Sequence, residues 1–277
     1  MALIKRRGQA LLPLTDSKPH LAYTLSGPEA APLVVFVNGL GGAQAAFTLQ
    51  VRDFCKTHRV LTFDHRGMGQ SDVVDEPVHM ADYAADLVRI LDEIGAGQVD
   101  LVGLSFGGRV VMQLAAGWPE RVRRMVVGGT SAGGDHHVPS QVDAHTTLRA
   151  LSDGDAETWA EQIAPLLFGR AYAERHPERL YSLARWRARH PVNPVGIARQ
   201  WEAWDGFALG DQIGAIAVPT MVLHGTDDAI SPVQNAHALV ALLPNARLHL
   251  MEGVGHSPNV EAPADFNGAI MDFLGSA

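Results

Sequence analysis

The sequence predicts an α/β fold: a mostly parallel central sheet flanked by helices, with a helical cap inserted into it. Three observations predict this. Short β-rich runs alternate with helix-like segments, the pattern of parallel strands joined by crossovers. Several of these runs are continuously apolar rather than alternating, as strands covered on both faces must be. From about residue 131 to 216 the alternation stops in favour of helical segments, over a stretch too long for an ordinary loop.

Strands are expected at LVVFVNG (33–39), RVLTFD (59–64), VDLVGLS (99–105), RRMVVGGT (123–130), TMVLHG (220–225) and ARLHLM (246–251). Between the first two, LQVRDFCKTHRV is helix-like and holds the single cysteine, Cys55, expected to be buried and inert. In ADYAADLVRILDEIG (81–95), Tyr83, Leu87, Ile90, Leu91 and Ile94 fall on one helical face. FGGRVVMQLAAGWP (106–119) reads as a helix stopped before Pro119, because proline lacks a donor and disfavours helix at the preceding residue. The interruption carries Trp159, Trp186, Trp201 and Trp204, whose ordinary role is to pack small helices together. Within it, RLYSLARWRARH (179–190) reads as a helix with a solvated arginine face. After Pro219 the sheet resumes, and EAPADFNGAIMDFLG (261–275) closes the chain as an amphipathic helix. The expected organisation is a core of residues 1–130 and 217–277 with a cap of residues 131–216.

Composition narrows the function. The 277 residues are 47% hydrophobic and 19% charged, enough apolar surface for a large core. Thirty acidic residues against 22 Lys and Arg leave a net charge of -8, which repels the nucleic-acid backbone. One cysteine precludes an internal disulfide and any cysteine-based metal site. The basic trio near the N-terminus is followed by an apolar stretch broken by Pro13, unlike a signal peptide, and no apolar run approaches the roughly 20 residues that span a bilayer. The expectation is a cytoplasmic protein without nucleic-acid or membrane partners. DHHVPSQVDAH (135–145) holds the densest histidines, but His137 and His145 lack a second ligand cluster, so no metal and no cofactor is expected.

The chemistry concentrates at DLVGLSFGGRV (100–110). Gly103-Leu104-Ser105-Phe106-Gly107 is a G-x-S-x-G between an expected strand and an expected helix, the setting in which the motif exposes a serine on a strained turn. Side chains at 103 and 107 would clash with the tight crossing. A serine hydroxyl is a weak nucleophile, so it requires a base, and the base an orienting acid. VLHGTDDAISP (222–232) offers Asp227 and Asp228, and LMEGVGHSPNVEAPADF (250–266) offers His256 in a glycine-flanked loop. Asp64, Arg66 and Asp72 of FDHRGMGQSD are expected to be structural hydrogen-bonders, His65 to belong to the same loop and His224 to a strand end.

These segments together resemble the α/β-hydrolase fold family, and within it the cap-bearing esterases, lactonases such as 3-oxoadipate enol-lactonases, and cofactor-free haloperoxidases. FDHRGMGQSD is similar to the family's D-x-R-G-x-G-x-S segment, HGTDDAISP to its acid loop and GHSPNVEAPADF to its histidine loop. The acid-loop frame implies Asp228 rather than Asp227. The resemblance further implies that the backbone N–H groups of Leu40 and Phe106 form the oxyanion hole. It departs in one place: the family usually has His-Gly after the early strand, and this chain has Asn38-Gly39. Asn beside a tight glycine turn commonly bonds the backbone, so support of the loop is the expected role of Asn38.

The implied function is hydrolysis of a carboxylic ester or lactone of a small apolar molecule through Ser105, His256 and Asp228 and an acyl-enzyme. C–C bond hydrolysis or perhydrolysis on the same triad are the alternatives, because fold does not fix chemistry. A binding or sensor protein with slow or no hydrolysis is the alternative from another class. Caps and edge strands often join subunits in such proteins, which leaves a homodimer open.

Overall fold

Strands β1 (Tyr23–Ser26), β2 (Leu33–Val37), β3 (Arg59–Phe63), β4 (Val99–Leu104), β5 (Val122–Gly128), β6 (Thr220–Gly225) and β7 (Ala246–Met251) form one sheet in the order β1-β3-β2-β4-β5-β6-β7. The computed structural model describes residues 12–140, 144–150, 162–189 and 192–275. Trp159 lies outside them, and so do the side chains of His145 and Trp186. All pairings are parallel except β1 with β3. Six strands match the apolar runs. The antiparallel edge strand β1 has no sequence forerunner, because its YTLS is short and half-buried, with no run of apolar residues to mark it.

The period-two alternation of a strand sorts the core into two layers. Val34, Phe36, Val102, Leu104 and Leu223 face one side, against α1 (Thr48–Phe54) and the C-terminal helix α11 (Pro263–Gly275). Val35, Val37, Leu101, Val127 and Val222 face the other, against α2 (Met80–Glu93), α3 (Phe106–Gly117) and α9 (Gln234–Leu242). All six residues of β4 are buried, which is why its sequence reads as a continuous run. The α2 face is as the 3.6-residue period predicts, with Tyr83, Leu87, Ile90 and Leu91 buried. Cys55 differs from expectation. It caps the C-terminus of α1 and is only partly buried, since the helix ends there and turns the side chain to the margin of the layer. The closing segment is interrupted at Ala262, giving a short α10 (Pro258–Glu261) before α11.

Between β5 and β6 the chain forms α4 (Ala144–Ala150), α5 (Ala164–Leu167), α6 (Arg170–Arg175), α7 (Pro177–Arg189) and α8 (Pro194–Asp205). These divide by packing. Ile163, Phe168, Tyr172, Leu180 and Ala184 make a small core of their own. Ile197, Trp201, Ala203 and Trp204 of α8 instead join the main core. Asn193 caps α8, its Oδ1 accepting the N–H groups of Val195 and Gly196 at 2.9 and 3.1 Å, with Pro194 at the first helical position.

Candidate active site

The chain leaves β2 toward β3 on one side and returns past it to β4 on the other, so the connections after β2 and β4 diverge. Such a point opens a crevice at the carboxyl ends of the strands. Asn38–Gly42 and Ser105 sit there, with Asp228 beyond β6 and His256 beyond β7.

Ser105 has φ 55° and ψ -118°, and among the described residues it alone combines a side chain with a positive φ. Such a conformation costs on the order of 1–3 kcal/mol and persists only where the surroundings enforce it. Here they do. The Ser105 N–H donates to Gly128 O at 2.7 Å, and its C=O accepts the Gly108 N–H at 3.0 Å. A Cβ on Gly107 would lie 2.1 Å from Val37 O, and one on Gly103 2.3 Å from Gly107 O, so both flanking positions admit glycine alone.

Asp228 is buried, and both of its oxygens are engaged. Oδ1 accepts the N–H groups of Ile230 and Ser231 at 2.9 and 2.8 Å, and Oδ2 accepts His256 Nδ1–H at 2.7 Å. Burial pushes the carboxyl up, but the neighbouring His256, its hydrogen bond, His224 and the Ser231 N–H together hold it below the usual carboxylate range. Asp227 is exposed and accepts the Arg170 N–H at 3.0 Å. Geometry thus pairs Asp228, not Asp227, with His256. His224 is fully buried behind this pair, donating from Nε2 to Ser231 O at 2.8 Å, and burial lowers its pKa.

Asn38 ties the end of β2 to β3: its Nδ2 donates to Phe63 O at 3.0 Å, and its C=O accepts His65 Nε2–H at 3.1 Å. His65 is packed edge-on against Phe63, Tyr83 and Phe106, and burial lowers its pKa to about 4, so the ring is neutral. Gly42 N–H donates to Gly39 O at 3.0 Å, closing a tight turn. Among the described residues neither the Leu40 nor the Phe106 N–H donates to a protein acceptor. Asp64, Arg66 and Asp72 hold loops: Asp64 accepts the N–H groups of Gln44 and Gln70, Arg66 forks onto buried Asp86 at 2.6 and 2.7 Å, and Asp72 accepts the His20 N–H.

Ser105, His256, Asn38 and Leu40 open onto one cavity of ≈ 640 Å³ whose walls include Leu104, Leu148, Leu183, Trp201, Trp204 and Ile230. That volume falls within the roughly 300–1,000 Å³ of small-molecule sites. Most of its lining is apolar, with Asn38, Gln44, Asp64 and Asn259 among its polar groups beside Ser105 and His256. Three supporting residues were given no role by the sequence. Glu261 Oε2 accepts the N–H groups of Gly169 and Gly255 at 3.0 and 2.9 Å, holding the histidine loop to the insertion. Gln200 accepts the Gly41 N–H, and Arg109 reaches Trp204 O, each across about a hundred residues or more of chain. The contacts of Gln200 with Gly41, Arg109 with Trp204 and Glu261 with Gly169 link segments about a hundred residues or more apart, which no local pattern records.

Comparison with known proteins agrees with this architecture. A family described as alpha/beta hydrolase fold matches residues 32–263. A protein of Variovorax paradoxus named "Putative carbamate hydrolase RutD" is 30% identical over 256 residues, 92% of this chain and 96% of that one. The enol-lactonase of Burkholderia xenovorans superposes with a TM-score of 0.83 at 26% identity, covering 95% of this chain and 100% of that one. A hydrolase from Pseudomonas aeruginosa does so with a TM-score of 0.81 at 28% identity, covering 96% and 98%.

Proposed function

This chain belongs to the α/β-hydrolase fold family, and we propose that it is a serine hydrolase acting on an ester, lactone or carbamate of a small, largely apolar molecule. The observation that carries the reading is the 2.7 Å hydrogen bond from His256 Nδ1–H to Asp228, with His256 and the strained Ser105 opening onto one cavity. The carbamate arm rests on the name of the Variovorax relative, and the lactone arm on that of the Burkholderia structure.

In this mechanism His256 Nε2 takes the Ser105 proton as Oγ attacks the carbonyl carbon. Asp228 holds the ring in the tautomer with Nδ1 protonated and stabilises the imidazolium. The carbonyl oxygen, now negative, accepts the Leu40 and Phe106 N–H groups, which have no acceptor among the described residues; losing one such donor costs about 10²- to 10³-fold in rate. Collapse expels the leaving group, which takes the proton from His256. Water then attacks the acyl-enzyme, giving its proton to His256, and Ser105 leaves with that proton as the acid is released.

Labelling with a fluorophosphonate, read by mass spectrometry on the wild type, Ser105→Ala and His256→Ala, tests the reading. A label on Ser105 that both variants lose is the expected result. A p-nitrophenyl panel of esters and carbamates, with lactones followed by acid release, ranks the acyl class. A folded wild type that takes no label and turns over none of the panel would overturn the proposal in favour of a binding protein.

A further inference from the structure

Helix α8 touches the candidate site at three successive turns of one face. Positions 196, 200 and 204 are four apart, the spacing at which helical side chains stack in a stripe. At the first, backbone meets backbone: a Cβ on Gly196 would lie 2.2 Å from Gly67 O, so the helix rests on the loop after β3. At the second, buried Gln200 accepts the Gly41 N–H through Oε1 at 2.7 Å. At the third, Trp204 O accepts Arg109 Nη1–H at 2.8 Å, while the Arg109 guanidinium lies 3.4 Å from the centre of the Trp204 ring. Arg109 is one helical turn beyond Ser105.

We propose that Gln200 is a positioning residue for the oxyanion hole: reaching from the inserted helix to the Gly41 amide, it locks the Asn38–Gly42 turn with the Leu40 N–H presented to the cavity. The inference rests on the serine-hydrolase reading above and deepens it.

The turn needs such a lock. Three of its five residues are glycine, and Gly41 has φ +65°, so neighbouring peptide planes rotate at little steric cost. The peptide joining Gly39 to Leu40 is trans, so its N–H points opposite to its C=O. Since Gly39 O is held by Gly42 N–H, the Leu40 N–H is turned away from that bond. The next peptide, joining Leu40 to Gly41, is held through its own N–H by Gln200. Remove that acceptor and the buried Gly41 N–H loses its hydrogen bond to Gln200, which favours rotation of the peptide toward another acceptor. Rotation there re-aims its neighbour, and a displacement near 1 Å at a catalytic group is enough for about a hundredfold loss. Within the turn, the Gly39 carbonyl is already occupied by the Gly42 N–H. An acceptor delivered by the insertion makes a competent oxyanion hole depend on α8 being docked.

The test compares Gln200→Met, which keeps the length but removes the acceptor, with Gln200→Glu, which keeps an oxygen at the same reach. On the best ester of the panel, Gln200→Met is expected to lose about ten- to a hundredfold in kcat with KM within about twofold. Gln200→Glu is expected to recover most of that loss. Amide exchange followed by mass spectrometry should show peptides covering residues 38–42 exchanging faster in Gln200→Met, with the remaining sheet unchanged. If the Met variant does not fold, Gln200→Asn, whose amide falls one methylene short, takes its place. A labelled wild type whose Gln200 variant keeps its kcat, or loses activity through KM alone, overturns the positioning role and leaves the hydrolase reading standing. A wild type that takes no label overturns both.

Discussion

Ser105 carries both the proposed chemistry and the local strain, and its substitutions separate the two. Ser105→Ala removes the hydroxyl but keeps a Cβ at φ 55°; turnover should fall by about 10⁴- to 10⁶-fold. Ser105→Gly is expected to be equally inactive yet more stable than Ser105→Ala by about 1 kcal/mol, because glycine populates positive φ without penalty. Urea unfolding of the two variants measures the difference, and equal stabilities would mean the elbow stores no strain. The acid is separable in the same way. Asp228→Asn should cost about 10⁴-fold, since an amide favours the wrong imidazole tautomer. Asp227→Asn, at an exposed carboxylate that accepts the Arg170 N–H and does not pair with His256, should leave kcat within a few-fold. At this scale the sequence marked Ser105 and His256 through their glycine-flanked motifs, and the fold brings both to one cavity. For the acid, adjacent Asp227 and Asp228 are identical in type, and the acid-loop frame alone pointed to Asp228; in the fold, burial and the hydrogen bond from His256 distinguish it from exposed Asp227.

At the scale of elements, the insertion is two structures rather than one. Helices α5 to α7 share a small core, whereas α8 is part of the main core and rests on the loop after β3. The contact at Gly196 and Gly67 leaves no room for a methyl group. Gly196→Ala should therefore destabilise the protein by about 1–3 kcal/mol, as overpacking does, and lower kcat by pushing the Gln200 stripe off the site. Gly214, in the 3₁₀ helix Gly210–Ala215, has nothing within 4 Å of its Cβ position. Gly214→Ala should be neutral or stabilising by up to about 1 kcal/mol. Urea midpoints for the pair test whether α8 is clamped; equal, small effects would show that it is not. Six of seven strands were legible because their apolar runs are continuous. Strand β1 was not, since an edge strand needs no such run. Nor was the docking of α8: its Trp and Gln residues read as those of any helix.

Across the whole molecule, acid stability follows from buried imidazoles. His65 is neutral in the fold with a pKa of about 4, against 6.5 when unfolded. Between those values the unfolded chain binds a proton that the folded one does not, so stability is lost as pH falls from about 6.5 to about 4. The linked loss from His65 is about 3 kcal/mol. Burial lowers His224 also, which adds to the same trend. Asp228, held below its usual range, adds a further loss only below about pH 4. Urea titrations at stepped pH should show this decline, and His65→Gln should flatten it while lowering stability near pH 7. An unchanged slope in that variant would place the acid sensitivity elsewhere. Sequence alone determined the layered α/β architecture and placed the Gly-x-Ser-x-Gly turn, the aspartate loop and the histidine loop in that order, because apolar periodicity and glycine-flanked turns are local properties written within a few residues. Tertiary structure alone decided that His65 is buried and neutral, that Gln200 reaches the Gly41 amide 159 residues away, and that Glu261 ties the histidine loop to Gly169, 92 residues away. Those outcomes depend on which distant surfaces pack together, and burial and hydrogen-bond partnership exist only once they have.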